Sequence, residues 1–353
     1  MEEARRLELE IIYEGKNITK DISQDIINFG YSDSINEFDS LDLTIQDREL
    51  TWLKYWNVLK GEKIVTNLLL HNWEKEKNVT LIPIGEFYVD KVVYSGIPNT
   101  VKISALSVDI TTDIMDDKKN RVWENVYFDK IVKDIAKECN LKLFYDCKFN
   151  REYVRVEQRL ESNFNFLKRL TQEIGIVVKL YNDRLILFEE SVFEEKPSKL
   201  ILTRNELKSY TFENDDTDTY AGCKITYTNR KGKKVEASFF TKQRSGYKRN
   251  TQRVLFINED KAINEKDNAK VRAYLAKLAE KALREKNKSS IRASIEIMGR
   301  EDLITVGDCI ELLEVGFFSG KYMITKLDTD LKTYDLKLEL QKVEEKRDEN
   351  DGN

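Results

Sequence analysis

Alternation of apolar and polar positions dominates the first hundred residues. "LELEIIY" (Leu7–Tyr13) alternates up to a Glu14-Gly15 turn, and "FDSLDLTI" sets Phe38, Leu41, Leu43 and Ile45 in a strand whose other face is polar. One apolar and one wet face is the pattern of an antiparallel sheet covered on a single side. Asp47 is placed to cap a short helix carrying Leu50, Trp52, Leu53 and Trp56, and strands resume after Gly61 at "KIVTNLLL". A polar hairpin tip, "HNWEKEKNVT", leads to "GEFYVDKVVY", and the turn "SGIPN" leads to "TVKISALSV". Residues 1–110 are therefore expected to form an antiparallel β domain.

From 111 to 195 helix and strand periods alternate. "FDKIVKDIAKECN" puts Ile131, Ile135, Ala136 and Cys139 on one helix face, followed by the strand "LKLFYD". A second helix should start at Ser162 as N-cap, carry Phe166, Leu167, Leu170 and Ile174 inward, and stop at Gly175. "IVVKLY" and "RLILFEE" then read as a hairpin across "NDR", closing a small α+β unit before the linker-like "EEKPSK". Strand patterns return in 196–345 at "YTFEND", "YAGCKITYTN", "SSIRASIEIM", "CIELLEV", "GKYMITKLD" and "YDLKLELQK". One long helix, about 265–287, interrupts them; its Val271, Leu275, Leu278 and Ala282 stripe is expected to cover its own domain's sheet. The charged tail 346–353 is expected to fray.

Two strands echo each other across the chain. Gly85, Phe87, Val89, Lys91 and Val92 match Gly320, Tyr322, Ile324, Lys326 and Leu327 in order, 235 positions apart. Upstream, "LKGEKI" (Leu59–Ile64) resembles "TVGDCI" (Thr305–Ile310), each an acidic glycine turn opening a strand. A third, fainter echo relates "EFDSLDLTI" (Glu37–Ile45) to "TYAGCKITY" (Thr219–Tyr227). Chance resemblance of amphipathic strands competes with any single echo. Three in the same order predict a duplicated β domain with the α+β unit inserted between the copies.

Composition narrows what such a chain can do. With 353 residues, 41% hydrophobic and 35% charged, two or three packed domains fit. No apolar run approaches the ~20 residues of a membrane span, and Met1 is followed by "EEARRLELE" rather than an apolar leader, so neither membrane insertion nor secretory export is expected. Lys and Arg number 59 against 63 acidic residues, a net charge of -4 that calls for no polyanionic partner. Cys139, Cys147, Cys223 and Cys309 form no C-x-x-C pair and read as reduced structural thiols rather than zinc ligands or disulfides.

Catalytic patterns are missing. A nucleophile would need a base, and the single histidine, His71, lies in a polar hairpin tip with no cysteine beside it. No G-x-S-x-G, H-E-x-x-H or phosphate-cradling loop occurs, and "NRKGKK" lacks the required spacing. Carboxylate pairs are so numerous that none stands out; Glu161 and Glu173 suit helix-end roles, with Glu173 paired to Arg169 four positions earlier. No catalytic, cofactor-binding or metal-binding residue is predicted. The most polarised segment, Asn229–Arg253, holds nine basic residues and one acidic after "ENDDTD", and reads as a solvated hairpin or a salt-bridged subunit contact ahead of a nucleic-acid site.

The segment "QRLESNFNFLKRLTQEIG", Gln158–Gly175, resembles the Q-x-x-E-S-x-x-x-F-L-x-R-L-x-x-E-x-G signature of the phage late control D family, baseplate hub proteins of contractile tails related to the hub part of type VI secretion spikes. Gln158, Glu161, Ser162, Phe166, Leu167, Arg169, Leu170, Glu173 and Gly175 all match. The strand at Gly85, the early "EGKNITKDI" and the late "GKYMITKLDTDLKTYDLKLEL" also sit where that family has them. The resemblance implies a mainly β fold, two tail-tube-like β-barrel domains flanking a small α+β domain. It further implies a homotrimeric structural adaptor between the sixfold tail tube and the threefold central spike. Baseplate wedge proteins, and a tape measure protein or the spike at the basic 229–253 segment, are further expected partners.

Such a protein would assemble in the bacterial cytoplasm and then belong to a phage, a phage-tail-like bacteriocin or another contractile injection particle. Some relatives continue into a spike, an OB-like domain or a hydrolase; this chain ends soon after the second β domain, so piercing and cutting are expected of other proteins. The competing reading is a carbohydrate- or receptor-binding β protein using its four tryptophans and sixteen tyrosines. Clustered, exposed tryptophans would favour that reading, and buried Trp52 and Trp56 the hub.

Overall fold

The structure, a computed structural model, describes residues 4–108, 114–115, 117–181, 183–215, 217, 219–229, 232–241, 253–259, 263, 265 and 267–343. Its first part comprises β1 (Arg6–Tyr13), β2 (Lys16–Asn17), α1 (Thr19–Ile22), β3 (Ile26–Ser34), β4 (Ser40–Gln46), α2 (Thr51–Lys54), β5 (Lys63–His71), β6 (Val79–Ser95) and β7 (Thr100–Leu106). These strands run antiparallel in the order β2-β1-β5-β6-β7-β4-β3. The alternation dictates the packing: Leu41, Leu43 and Ile45 of β4 and Ile64, Leu68 and Leu70 of β5 face one buried cluster. Asp47 caps α2 as expected, its carboxylate accepting the Trp52 and Leu53 amides at 3.2 Å. Strand β3 was not legible, because Asn28 and Gly30 interrupt the apolar pattern and Asp33 occupies a buried position.

The middle part comprises β8 (Lys119–Tyr127), α3 (Phe128–Glu138), β9 (Lys142–Asp146), β10 (Glu152–Glu161), α4 (Asn163–Gln172), β11 (Ile176–Tyr181), β12 (Arg184–Glu189) and α5 (Glu190–Glu195). Strands β8 and β10 pair antiparallel, while β12 lies between antiparallel β11 and parallel β9. Helices α3 and α4 contribute Ile131, Ile135, Phe166, Leu167 and Leu170 to a second core. Ser162 caps α4 by accepting the Asn165 amide at 3.3 Å, and Gly175 supplies the left-handed φ of +61° just beyond its end. Glu190, read as the end of a strand, opens α5 instead, because it and Glu194 turn toward Lys288 and Arg284 of the long helix.

The last part comprises β13 (Leu200–Thr203), β14 (Ser209–Asn214), β15 (Gly222–Thr228), β16 (Lys234–Phe240), β17 (Val254–Glu259), α6 (Asn268–Asn287), β18 (Ile291–Met298), β19 (Cys309–Leu313), β20 (Gly320–Asp330) and β21 (Asp335–Lys342). Two sheets form from it. Strands β14-β18-β21-β20-β19-β13 run side by side, whereas β16-β15-β17 make a separate three-stranded sheet. Helix α6, capped by Asp267, lays Val271, Leu275, Leu278 and Leu283 on that small sheet, against Cys223, Ile225, Tyr227 and Val235. The stripe thus covers its own sheet, but one distinct from the larger β sheet of the same part. The charged tail lies outside the described residues.

The chain is mainly β, with two related β units flanking an α+β unit. Strands β5-β6-β7 and β19-β20-β21 are matching meanders in which the Gly85 and Gly320 octamers form the central strands. Shifting β6 and β7 by 235 positions reproduces the β20–β21 register: Val89 faces Ala105 as Ile324 faces Leu340, and Lys91 faces Ser104 as Lys326 faces Glu339. Both pairs carry a bulge at the intervening residue, Asp90 or Thr325.

The glycine turns match in equal detail. Gly61 and Gly307, at φ +88° and +92°, donate their amides to Val89 and Ile324, while Glu62 and Asp308 return their carbonyls to the same two residues. The Glu62 and Asp308 carboxylates accept the Leu59 and Thr305 amides. A bulge and a reciprocal turn at equivalent positions are not features that chance alternation supplies.

The fainter third echo is overturned. Strand β4 occupies the place of β18, not β15: Leu41 faces Ala105 and Ala293 faces Leu340, so these two positions correspond. The matching segment around Cys223 belongs to the small sheet under α6. Its likeness to β4 is shared alternation alone. One step further out, β3 faces β4 as β14 faces β18, so Tyr31 corresponds to Phe212. The copies differ at β1, which joins β5 antiparallel, where β13 joins β19 parallel.

Candidate assembly interface

Strand β3 of the first β unit pairs antiparallel with the outer half of β20 in the second, from Ser34 opposite Lys326 to Gly30 opposite Asp330. This seam merges both units into one 13-stranded sheet. Ser32 Oγ donates to Asp328 Oδ1 across it at 2.6 Å, the Ile35 amide donates to Thr325 O at 3.0 Å, and the Leu331 amide to Phe29 O at 2.8 Å. On the inner face Phe29, Asp33, Leu327 and Thr329 are buried. A shallow cleft of about 410 Å³ on the outer face is lined by Asp42, Asp328, Asp330 and Asp335 among others, which makes it acidic.

The middle unit locks this seam from one side. Lys179 of β11 sends its ammonium between Asp33 and Asp39, 2.9 Å from the latter, with side-chain exposures of 12%, 3% and 0%. Asp33 also accepts the Val306 amide of the second β unit at 3.3 Å, and Tyr31 donates to Asp39 at 2.9 Å. Burial, and then the neighbouring Asp33 charge, push the Asp39 carboxyl up to about 7, against the opposing pull of Lys179. The Val178 amide donates to Asn36, Phe38 bridges to Leu180, and Tyr181 Oη donates to the Ile84 carbonyl beside Gly85.

A second ionic contact ties the middle unit to the module of β15–β17 and α6. Arg151, 5% exposed, reaches Glu173 at 3.3 Å and Glu259 at 3.0 Å; Lys281 meets Glu189 at 2.6 Å, and Lys288 meets Glu190 at 3.1 Å. Glu173, expected to pair with Arg169, adds its charge to Arg169 from a distance while its ion pair is with Arg151. Arg169 bonds Glu161 at 2.5 Å and the Glu157 carbonyl, because α4 begins beside the end of β10 and brings Glu161 within reach. Gln158, buried in the same corner, accepts from Arg121 at 2.7 Å and donates to the Glu161 carbonyl at 2.8 Å. The matched signature thus builds the hinge between β10 and α4.

The other candidates scatter. His71 meets Glu8 at 3.2 Å and Arg6 at 3.3 Å on the open face of β5 and β1. Burial raises the Cys147, Cys223 and Cys309 thiols, the latter two to about 11, so they stay protonated. Trp52 is buried and touches Trp56; Trp73 is buried and donates to the Gly299 carbonyl; Trp123 stacks on Phe166. Trp52, Trp56 and Trp73 pack on the first core and Trp123 on the second. Most of the Lys and Arg of the 229–253 segment lie outside the described residues.

Two open edges of the large sheet expose aromatic or aliphatic side chains. The outer side of β14 pairs with no strand among the described residues, although Tyr210 is 47% exposed there and Phe212 stacks on Phe318 at 4.9 Å. The Lys91–Ser95 half of β6 pairs with β7 on one side only, since β5 ends opposite Tyr88, and it exposes Val93 and Tyr94. Neither edge stood out in the sequence, where both read as ordinary alternating strands.

Comparison with solved structures follows the architecture closely. The 43 kDa tail protein of prophage MuSo2 from Shewanella oneidensis matches with a TM-score of 0.67 at 15% identity, over 96% of this chain and 98% of its own. The chain has the fold of phage tail proteins. A tail protein from Neisseria meningitidis matches with a TM-score of 0.63 at 11% identity, over 95% and 96% of the two chains. An Escherichia coli component of the type VI secretion system matches with a TM-score of 0.51 at 12% identity, over 96% of this chain and 77% of its own. No family model and no curated protein matches the sequence.

Proposed function

We propose that the chain is the structural hub of a contractile-tail baseplate, a homotrimeric adaptor between a sixfold tail tube and a threefold central spike. One observation carries this reading: two β units with the same meander, bulge and glycine turn are fused edge to edge through the β3–β20 seam. A chain holding two equivalent units in one sheet presents six in a ring of three copies, matching sixfold symmetry on one face and threefold on the other. Tail tube and spike are then its axial partners and wedge proteins its peripheral ones, with the tape measure protein open to the basic segment. The fold shared with tail proteins and with a type VI secretion component supports the setting.

No catalysis is assigned. The sole histidine is engaged with Glu8 and Arg6, and the raised thiols lack a base. The tryptophans, buried or packed onto the two cores, weigh against the sugar-binding reading, which asks for exposed rings side by side. Light scattering on the full chain co-expressed with the spike encoded beside it tests the proposal. Three copies of the chain per complex are expected; a 1:1 complex or a closed dimer would refute it.

A further inference from the structure

The two copies of the β unit are matched inside but not at their rims. Strand β3 has its outer edge filled by β20, whereas β14, its counterpart, has no partner there among the described residues. The outer half of β20 is likewise filled by β3, whereas its counterpart, the Lys91–Ser95 half of β6, is open. The chain thus contains one complete seam and the two separated halves of a second.

Exposure records the same asymmetry. Phe29 is 0% exposed and its counterpart Tyr210 47%; Thr329 is 4% exposed and its counterpart Tyr94 37%. Side chains buried in the seam have large aromatic equivalents left in solvent on the free edges, and open apolar edges of this kind demand a partner strand. Within one chain the halves do not meet: β14 and β6 stand seven strands apart in the sheet, about 34 Å along it at roughly 4.8 Å per strand.

We propose that β14 pairs antiparallel with the Lys91–Ser95 half of β6 from a neighbouring copy of the chain, repeating the β3–β20 seam between subunits. The internal equivalences fix the register. Carrying β20 onto β6 and β3 onto β14 sets Lys91 opposite Asp215, Val92 opposite Asn214, Val93 opposite Glu213, Tyr94 opposite Phe212 and Ser95 opposite Thr211. The result is chemically consistent: a cation meets an anion at one end, and Tyr94 lands on the Phe212–Phe318 stack, both pairings favourable across strands. The contact is heterologous, so it closes into a ring of three only when each seam turns by about 60°. This inference rests on the ring reading and deepens it by naming the edges and the register.

The test is a cross-link in the full-length chain. In the β3–β20 seam the amide bonds flanking Lys326 and Ser34, and Asp330 and Gly30, make these the close, non-hydrogen-bonded pairs, and Asp328 with Ser32 falls in the same phase. Val93 and Glu213 correspond to that last pair, so Val93→Cys with Glu213→Cys should oxidise to a covalent trimer on a non-reducing gel. Val93→Cys with Asn214→Cys, one residue out of register and on the opposite face, should give none. All three positions are at exposed edges, so the fold is not at stake. A trimer by light scattering without the V93C/E213C cross-link would overturn the strand pairing and leave the ring standing. A monomer at tens of micromolar would overturn both.

Discussion

Replacing Lys179 by Met tests how the middle unit is fastened to the seam. Among the described residues the ammonium is the one cation paired with Asp33 and Asp39, and all three side chains are nearly sealed from water, so solvent screening gives little relief. The methionine fills a similar volume and leaves two buried carboxylates facing each other. Removing one partner of a buried ion cluster costs about 3–5 kcal/mol, and that is the loss expected at pH 8.

The pH dependence sharpens the prediction. Asp39 in the folded chain titrates near 7, above its unfolded value near 4, so the folded state holds a proton that the unfolded state has lost. Stability from this group is therefore greatest below the unfolded value and falls as pH rises through that window. Without Lys179 the Asp39 carboxyl loses the partner that pulls it down and shifts further upward, and the deficit against wild type should shrink to roughly half by pH 5.5, where protonation of Asp39 removes the repulsion. Urea unfolding followed by tryptophan fluorescence at both pH values reads the difference. A deficit under about 1 kcal/mol at pH 8, or one of equal size at pH 5.5, would show that the cluster does not fasten the units as argued.

Three further outcomes are expected. Gly85→Ala should destabilise the chain by about 2 kcal/mol or more, because Gly85 sits at φ +140° and a Cβ would lie 3.1 Å from Tyr181 Oη; Gly320→Ala, at φ +130° but facing only the flexible Lys342 chain, should cost less in the same denaturation assay. Leu275→Ala, at a fully buried position on α6, should cost about 2–5 kcal/mol, against at most about 0.5 kcal/mol for exposed Arg272→Ala, and calorimetry separates the two. Zymography of the purified chain on peptidoglycan should show no clearing; clearing abolished by one Asp or Glu substitution would contradict the structural reading.

What was legible in the sequence follows from periodicity. Strands β4, β5 and β7 have one face in the core and one in water, so their alternation survives in the letters. The octamer echo was readable for the same reason, and the glycine turns because left-handed φ values of +88° and +92° select glycine. Strands β8 and β10 were missed because the many charged residues of "KNRVWENVY" and "EYVRVEQRLE" mask the few that face the core, Tyr153, Val156, Trp123 and Val126. The Lys179 cluster was invisible, since its members come from β11, β3 and the β3–β4 connection and only folding brings them together. The open edges were hidden too: an unpaired edge is a property of the sheet, not of the strand.

A cryo-EM reconstruction of the particle that carries this chain tests the central claim most directly. The account places three copies on the axis where tube meets spike, with six meanders in one closed ring and β3–β20 seams alternating with β14–β6 seams. A density map with the chain at the baseplate periphery, or with three copies whose second β unit lies outside the ring, would contradict it.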